Sequence, residues 1–403
     1  MKFATESVTR CAARIGTLTE FVRIPEASFE TPAVLMYTRT GCVPHLTKDV
    51  LKRVTKDSQM MSLSLSTTIP MFDSLKELDI PYSDFVSMPE YIHFLAIQDT
   101  GTSFKEGILD SEAIGIWTRG GRCRVTASRY MDLVETFKPD FYMTLCDGET
   151  NVDSTVSRTK KAVYRSNRFL EECVKRHIES NTLKSTGILG SVEGGYNLDY
   201  RKESIEFLKD KPLLGYVIDG LYSNDPNVQN IKTEQFKEMM QHTLNLLPAE
   251  KLRVSLGCWN PVTLLDLIDM GVDLFDSTYA YTATENYKAL TFLCDDECCN
   301  HKNNFSFFYF RYKDDFSPVC KHCECLACKN HSRAYINHLY LTKEMLGSVL
   351  LMMHNTHTYL KLFRAIRESI KSGTFNEYRK KMIHARKSMQ YIPYVLCVCK
   401  QVN

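Results

Sequence analysis

A chain of 403 residues with 44% hydrophobic and 24% charged side chains is built like an ordinary globular protein, long enough to bury a full core in one large domain or two modest ones. A formal net charge of +2 excludes wholesale attraction to nucleic acid, and no run reaches the roughly 18 apolar residues that a membrane span needs. Fifteen cysteines, behind a start that carries Lys2, Glu6, Arg10 and Arg14 and no apolar secretory stretch, point to a reducing compartment, with the cytosol as the default.

In chain order, Ala33 to Thr40, Gln59 to Leu65, Ile92 to Ile97 and a hairpin over Ala113 to Thr126, turning at Gly120-Gly121, read as strands set before or alongside the main units. From residue 141 a rhythm begins. Phe141 to Cys146, Gly187 to Val192, Leu214 to Ile218, Leu252 to Leu256 and Val272 to Phe275 have the length and apolar content of strands buried on both faces. Between them lie helical patterns over Val156 to His177, Tyr200 to Leu208, Thr233 to Leu247 and Pro261 to Met270, the last with Asn260 as N-cap and Pro261 at its first turn. Alternating units of this size imply a parallel sheet with right-handed crossovers. With no G-x-G-x-x-G turn after any strand, an eight-stranded βα barrel fits better than an open dinucleotide-binding sheet. The expected divisions are 1–130 for N-terminal strands and the first part of the barrel, 131–290 for the barrel core, and 291–403 for an insertion loop, a metal-binding subdomain and basic C-terminal helices.

In such a barrel the residues just past the strand ends line the functional face. Here they read Asp147-Gly148-Glu149, Glu193-Gly194-Gly195, Asp219-Gly220, Gly257-Cys258-Trp259 and Asp276-Ser277. Carboxylates and glycines in these turns suit glycosyl chemistry, in which one carboxylate attacks an anomeric carbon and another moves a proton. The plain alternative is that each acid caps the following helix.

Further on, Cys323, Cys325 and Cys328 form a C-x-C-x2-C motif ahead of His331, His338, His354 and His357. Three thiolates and an imidazole close a tetrahedral zinc site with no position left for water, so the metal is a structural staple. Spacing alone does not choose among the four histidines. Cys294, Cys298, Cys299 and His301 sit in a polar stretch and read as ordinary thiols in an insertion loop. Residues 361–390 then carry nine Lys and Arg against two Glu. Lys361, Arg364, Arg367 and Lys371 are its candidates for contact with an RNA backbone, against a plain solvated helix face.

The run Cys323-Glu324-Cys325-Leu326-Ala327-Cys328, with His331-Ser332-Arg333-Ala334-Tyr335-Ile336-Asn337-His338 and Leu350-Leu351-Met352-Met353-His354-Asn355, resembles the zinc-binding end of tRNA-guanine transglycosylases. Met270-Gly271-Val272-Asp273-Leu274-Phe275-Asp276 resembles the strand that ends in that family's nucleophile, and Val192-Glu193-Gly194-Gly195 and Thr40-Gly41-Cys42-Val43-Pro44-His45-Leu46-Thr47 extend the likeness over most of the chain. The resemblance implies an α/β fold, a (β/α)8 TIM-like barrel with N-terminal extra strands and an inserted C-terminal zinc-binding subdomain. It also selects His354 as the fourth ligand of one structural zinc ion.

Departures from the family pattern are concentrated at the expected site. Gln98-Asp99-Thr100-Gly101 lacks a second glycine and an aromatic-Gln pair, and a glutamine of the family becomes Glu193. Asp219 precedes Gly220 where the family has two glycines, and the loop Ser277 to Asn286 has no arginine with which to grip RNA. The base pocket of Asp147, Glu193, Gly194, Asp219 and Gly220 is therefore expected to be degenerate, with Asp276 only a residual candidate nucleophile. These losses resemble a non-catalytic, accessory branch of the family. Membership there implies pairing with a catalytic homologue, with tRNA as substrate of the pair, and a peripheral place on the outer face of mitochondria within the cytoplasm. A catalytically active enzyme using Asp276 is the second expectation, and a zinc-stabilised RNA-binding scaffold the third.

Overall fold

The architecture is that of a computed structural model, which describes residues 1–6, 12–103, 110–222, 226–291, 304–306 and 312–387. Eight parallel strands close a barrel in chain order: β1 (Ala33–Tyr37), β2 (Met60–Ser64), β3 (Ile92–Ala96), β4 (Phe141–Met143), β5 (Gly187–Val192), β6 (Gly215–Ile218), β7 (Leu252–Val254) and β8 (Leu274–Asp276). The last strand pairs back onto the first, with Leu274 opposite Ala33 and Asp276 opposite Leu35. Strands such as β2, β3 and β5 are buried along their whole length, because helices cover one face and the filled barrel interior the other.

The three segments read as strands set before or alongside the main units are the first three barrel strands themselves. The genuinely additional strands lie upstream, where Lys2–Glu6, Ile15–Thr19 and Phe29–Thr31 form an antiparallel sheet. Their short runs, partly buried and interrupted by Thr and Glu, carry too little apolar pattern to stand out in the sequence. The hairpin expected over Ala113 to Thr126 is present as Ala113–Thr118 paired with Gly121–Thr126.

Two arginines hold the N-terminal segment beneath the barrel. Arg14 donates to the carbonyl oxygens of Ala249 and Lys251 and, at 2.5 and 2.8 Å, to the buried carboxylate of Asp273. Arg23 donates to the carbonyls of Pro89 and Tyr91 and to Asp140 at 2.6 Å. Residues 249–251, 273, 89–91 and 140 precede β7, β8, β3 and β4, so both guanidiniums lie at the strand N-termini. That end of a βα barrel serves stability, and the chemistry belongs to the other.

The helices follow their end signals. Asn260 caps Pro261–Asp269 by accepting from Val262 and Thr263 amides at 3.1 and 3.2 Å. The pattern over Thr233 to Leu247 resolves into a short turn, Thr233–Gln235, and a helix, Lys237–Leu246. The longest helix, Met345–Lys371, buries Tyr359, Leu362, Phe363, Ile366 and Ile370 at helical spacing. Its far end is tied to the N-terminal region: Arg367 donates to the Pro32 carbonyl at 2.9 Å, Lys371 pairs with Glu30 at 2.8 Å, and Arg364 pairs with Asp57. The following helix, Phe375–Lys387, sets Arg379 against Asp266 and Asp269. Among the described residues no helix is long and apolar enough to cross a membrane. Cys294, Cys298, Cys299 and His301 lie outside them.

Candidate metal centre and barrel mouth

Cys323, Cys325, Cys328 and His354 come together, with all four donor atoms within 4.8 Å of one another. The three sulfurs stand 3.6, 3.6 and 3.3 Å from His354 Nδ1. His354 Nε2 donates to the Leu290 carbonyl at 2.8 Å, which fixes the ring and leaves the Nδ1 lone pair facing the thiols. The next residue strengthens this clamp: Asn355 accepts from the Leu290 amide at 2.8 Å and donates to the Lys288 carbonyl at 2.9 Å. Cys325 caps Leu326–Asn330, its sulfur accepting from the Cys328 amide at 3.4 Å, so the C-x-C-x2-C spacing folds its own knuckle. His331 stacks on Tyr335 with ring centroids 5.4 Å apart, His338 is exposed, and His357 lies one turn beyond the cluster. A closed donor set of three thiols and one oriented imidazole fits a structural metal ion.

At the mouth of the barrel the expected pocket residues divide into two groups. Glu193 and Asp219 converge, together with Cys146, a residue that the motif reading passed over. Burial first, and then the charge of Asp219, push the Glu193 carboxyl well above its ordinary range. Burial likewise raises the Cys146 thiol. Asp147 turns aside into a bidentate pair with Arg158, at 2.5 and 3.0 Å, and a contact with Arg165 at 2.9 Å.

The two carboxylates fill the space that the glycines leave. A Cβ on Gly220, whose φ is +70°, would stand 2.3 Å from Glu193 Oε2, and one on Gly148 would stand 2.4 Å from Asp219 Oδ2. At Gly194, with φ +133°, an added Cβ would stand 2.6 Å from the Arg201 amide nitrogen, a distance no Cβ tolerates. Arg201 is fully buried and donates to the carbonyls of Gly195 at 2.9 Å and Val192 at 2.7 Å, which locks the turn after β5. Arg201 carried no signal in the sequence, since only the return of its helix against β5 gives it a role.

Asp276 ends β8 with both oxygens engaged: Gly257 N–H donates to one at 2.7 Å and Thr278 N–H to the other at 2.9 Å. Burial raises its pKa to about 6 against these bonds. A carboxyl that holds its proton more tightly folded than unfolded loses stability as pH rises from about 4 to 6, and the loss is complete above that. Asp276→Asn should therefore gain about 2 kcal/mol relative to the parent chain between pH 4.5 and 7.5. Urea unfolding of both proteins at the two pH values measures this; parallel pH profiles would show that the carboxyl titrates normally.

Asp99 is similarly occupied. It accepts from the Tyr37 hydroxyl at 2.7 Å, the Gly101 amide at 3.0 Å and the Thr102 hydroxyl at 3.1 Å. Thr100 and Thr278 hydroxyls meet at 2.5 Å, which joins the loops after β3 and β8. Of the basic residues expected to meet RNA, Arg364, Arg367 and Lys371 make the intramolecular contacts described above, whereas Lys361 is exposed at the edge of a small cavity beside the metal cluster.

A closed parallel βα barrel, with carboxylates at its strand ends and a Cys3His cluster near the C-terminus that could hold a metal ion, defines a TIM-like α/β barrel with a candidate structural metal site. The queuine tRNA-ribosyltransferase family model matches residues 9–388, and the chain belongs to that family. It is 36% identical over 382 residues to the queuine tRNA-ribosyltransferase accessory subunit 2 of Aedes aegypti, covering 94% of this chain and 91% of the other. Proteins of the same name from Anopheles gambiae, at 35% over 98% of this chain and 92% of theirs, and Drosophila virilis, at 37% over 94% and 91%, are comparably similar.

Proposed function

We infer that the chain is the non-catalytic accessory subunit of a heterodimeric queuine tRNA-ribosyltransferase. Its partner is the catalytic subunit, and the pair exchanges guanine for queuine at the wobble position of tRNA Asp, Asn, His and Tyr. The observation that carries this reading is the closed pocket. Glu193 and Asp219 occupy the volume beside Gly220 and Gly148 that a flat base would need, and they present acceptors or a buried proton in place of an amide. The accessory subunits named above, alike over nearly the whole chain, support the same assignment.

In this role the cluster of Cys323, Cys325, Cys328 and His354 holds one zinc ion, which supplies no chemistry to the exchange and fixes the subdomain. The helices it anchors carry exposed apolar side chains, Tyr335, Leu341, Met345 and Leu346, the last two 85% and 42% exposed, and these suit burial against a protein partner. Lys361, Arg364, Arg367 and Lys371 lie on one helix as contacts for the tRNA backbone, and the exposed ion pairs of Arg364 and Lys371 are weak enough to yield to phosphate. The place of action is the cytoplasm, with peripheral attachment to the mitochondrial outer membrane.

Exchange of labelled guanine in tRNA tests the reading. The purified chain alone is expected to be inactive, the mixture with the catalytic subunit active, and Asp276→Asn without effect on the mixture. Exchange by the chain alone, lost in Asp276→Asn, would establish instead an enzyme using Asp276 as nucleophile.

A further inference from the structure

Away from the Cys3His cluster, a second set of metal-ligating groups converges inside the barrel mouth. Cys146 follows β4, Glu193 follows β5 and Asp219 follows β6. These three adjacent staves bring one sulfur and two carboxylates within 4.8 Å of one another. The side chains are enclosed, at 3%, 0% and 7% exposure. Among the described residues neither oxygen of Glu193 has a hydrogen-bond partner, an arrangement that costs several kcal/mol for a buried carboxyl left without one. Arg201, the buried cation beside them, spends Nε and one terminal nitrogen on backbone carbonyls.

We propose that Cys146, Glu193 and Asp219 bind a divalent transition-metal ion of the zinc class, a second site distinct from the Cys3His staple. The Cys146 sulfur lies 3.4 Å from Asp219 Oδ2. A tetrahedral zinc with its usual sulfur and oxygen bond lengths sets those donors about 3.5 Å apart. The charges also close: three ionised ligands are balanced by the divalent ion and Arg201. A thiolate in the set selects a borderline metal such as zinc or cobalt over magnesium and calcium, which take oxygen alone. A cavity of about 10 Å³ borders Asp219, with Ile97, Gln98, Val217 and Leu256 on its walls, and has room for one water as the remaining ligand. The ion thus occupies the pocket in which a base-exchanging relative would hold its heterocycle, and it would bar a base there whether or not the chain assembles with a partner.

Metal content of the full-length chain, equilibrated with zinc and then freed of loose ions by gel filtration, tests the site. The wild-type chain is expected to hold two zinc ions, and Cys146→Ser and Glu193→Gln, both close in shape to the originals, one each. Cobalt substitution should give a strong thiolate-to-cobalt band from the first equivalent in all three proteins. A weaker thiolate band from the second should be absent in Cys146→Ser. One zinc in the wild-type chain, two zincs retained by both variants, or a second cobalt equivalent without any thiolate band would each overturn the proposal. The wild-type stoichiometry and spectrum decide the matter even if a variant fails to fold. Guanine exchange does not enter the readout, so failure of this site leaves the accessory role untouched.

Discussion

Stripping the metal from Cys323, Cys325, Cys328 and His354 should unfold the C-terminal subdomain and end assembly with a catalytic partner. Among the described residues the apolar cluster of the subdomain is small, built on Val319, Ala327, Ile336, Leu339, Tyr340, Leu350 and Leu351. In structural zinc sites the binding energy is folding energy, about 10–16 kcal/mol in isolated finger peptides at neutral pH, well above what such a cluster supplies. His354 lies in the middle of the longest helix and clamps Leu290, so loss of the metal should loosen residues 326–356 first. Hydrogen exchange before and after chelation, or in Cys328→Ser, measures it. Native mass spectrometry of the co-expressed pair should show the complex lost in the same samples. Undiminished protection across 326–356 after the metal is removed would contradict the role of staple.

The second large effect is expected at Asp147. Its side chain is wholly buried, and among the described residues it is the carboxylate that neutralises both Arg158 and Arg165, which are 26% and 18% exposed. Removing one partner from a buried ion pair costs about 3–5 kcal/mol, and the lower end applies here because both arginines keep some access to water. Asp147→Ala should thus lower the unfolding free energy by about 3 kcal/mol in a denaturant titration, while Arg158→Ala, which leaves Arg165 in place, should cost less. A loss below about 1 kcal/mol in Asp147→Ala would mean that the carboxylate is held for a ligand and not for the fold.

The barrel was legible because each stave is a short run of apolar residues with a helix-length interval after it. The first three staves were misplaced in role because the helices between them are short, seven residues at Lys48–Val54 between β1 and β2 and again at Phe72–Leu78 between β2 and β3. The three cysteines were legible because their knuckle is local. The fourth ligand was legible through the family resemblance and not from spacing, since His354 is chosen over His331 and His357 by the packing of a long helix against Leu290, a contact 64 residues distant. Cys146 escaped notice for the same reason as Arg201: only the curvature of the barrel brings the ends of β4, β5 and β6 to one point. Nine cations in 30 residues looked like a free basic face. The acidic partners of Arg364, Arg367 and Lys371 among them, Asp57 and Glu30, lie some 300 positions earlier, beyond any local reading of charge.

The pairing of β8 with β1 joins Leu274 to Ala33, and the helix after the metal cluster then ties Arg367 to Pro32 and Lys371 to Glu30. One edge of the first stave is covered early by β2, but the other waits, during synthesis, for nearly the whole chain. Closure at such separation is slow, and it leaves an apolar edge open in the interval. A chain halted anywhere between β1 and β8 would keep that edge open, and open strand edges of this kind favour aggregation over completion of the fold.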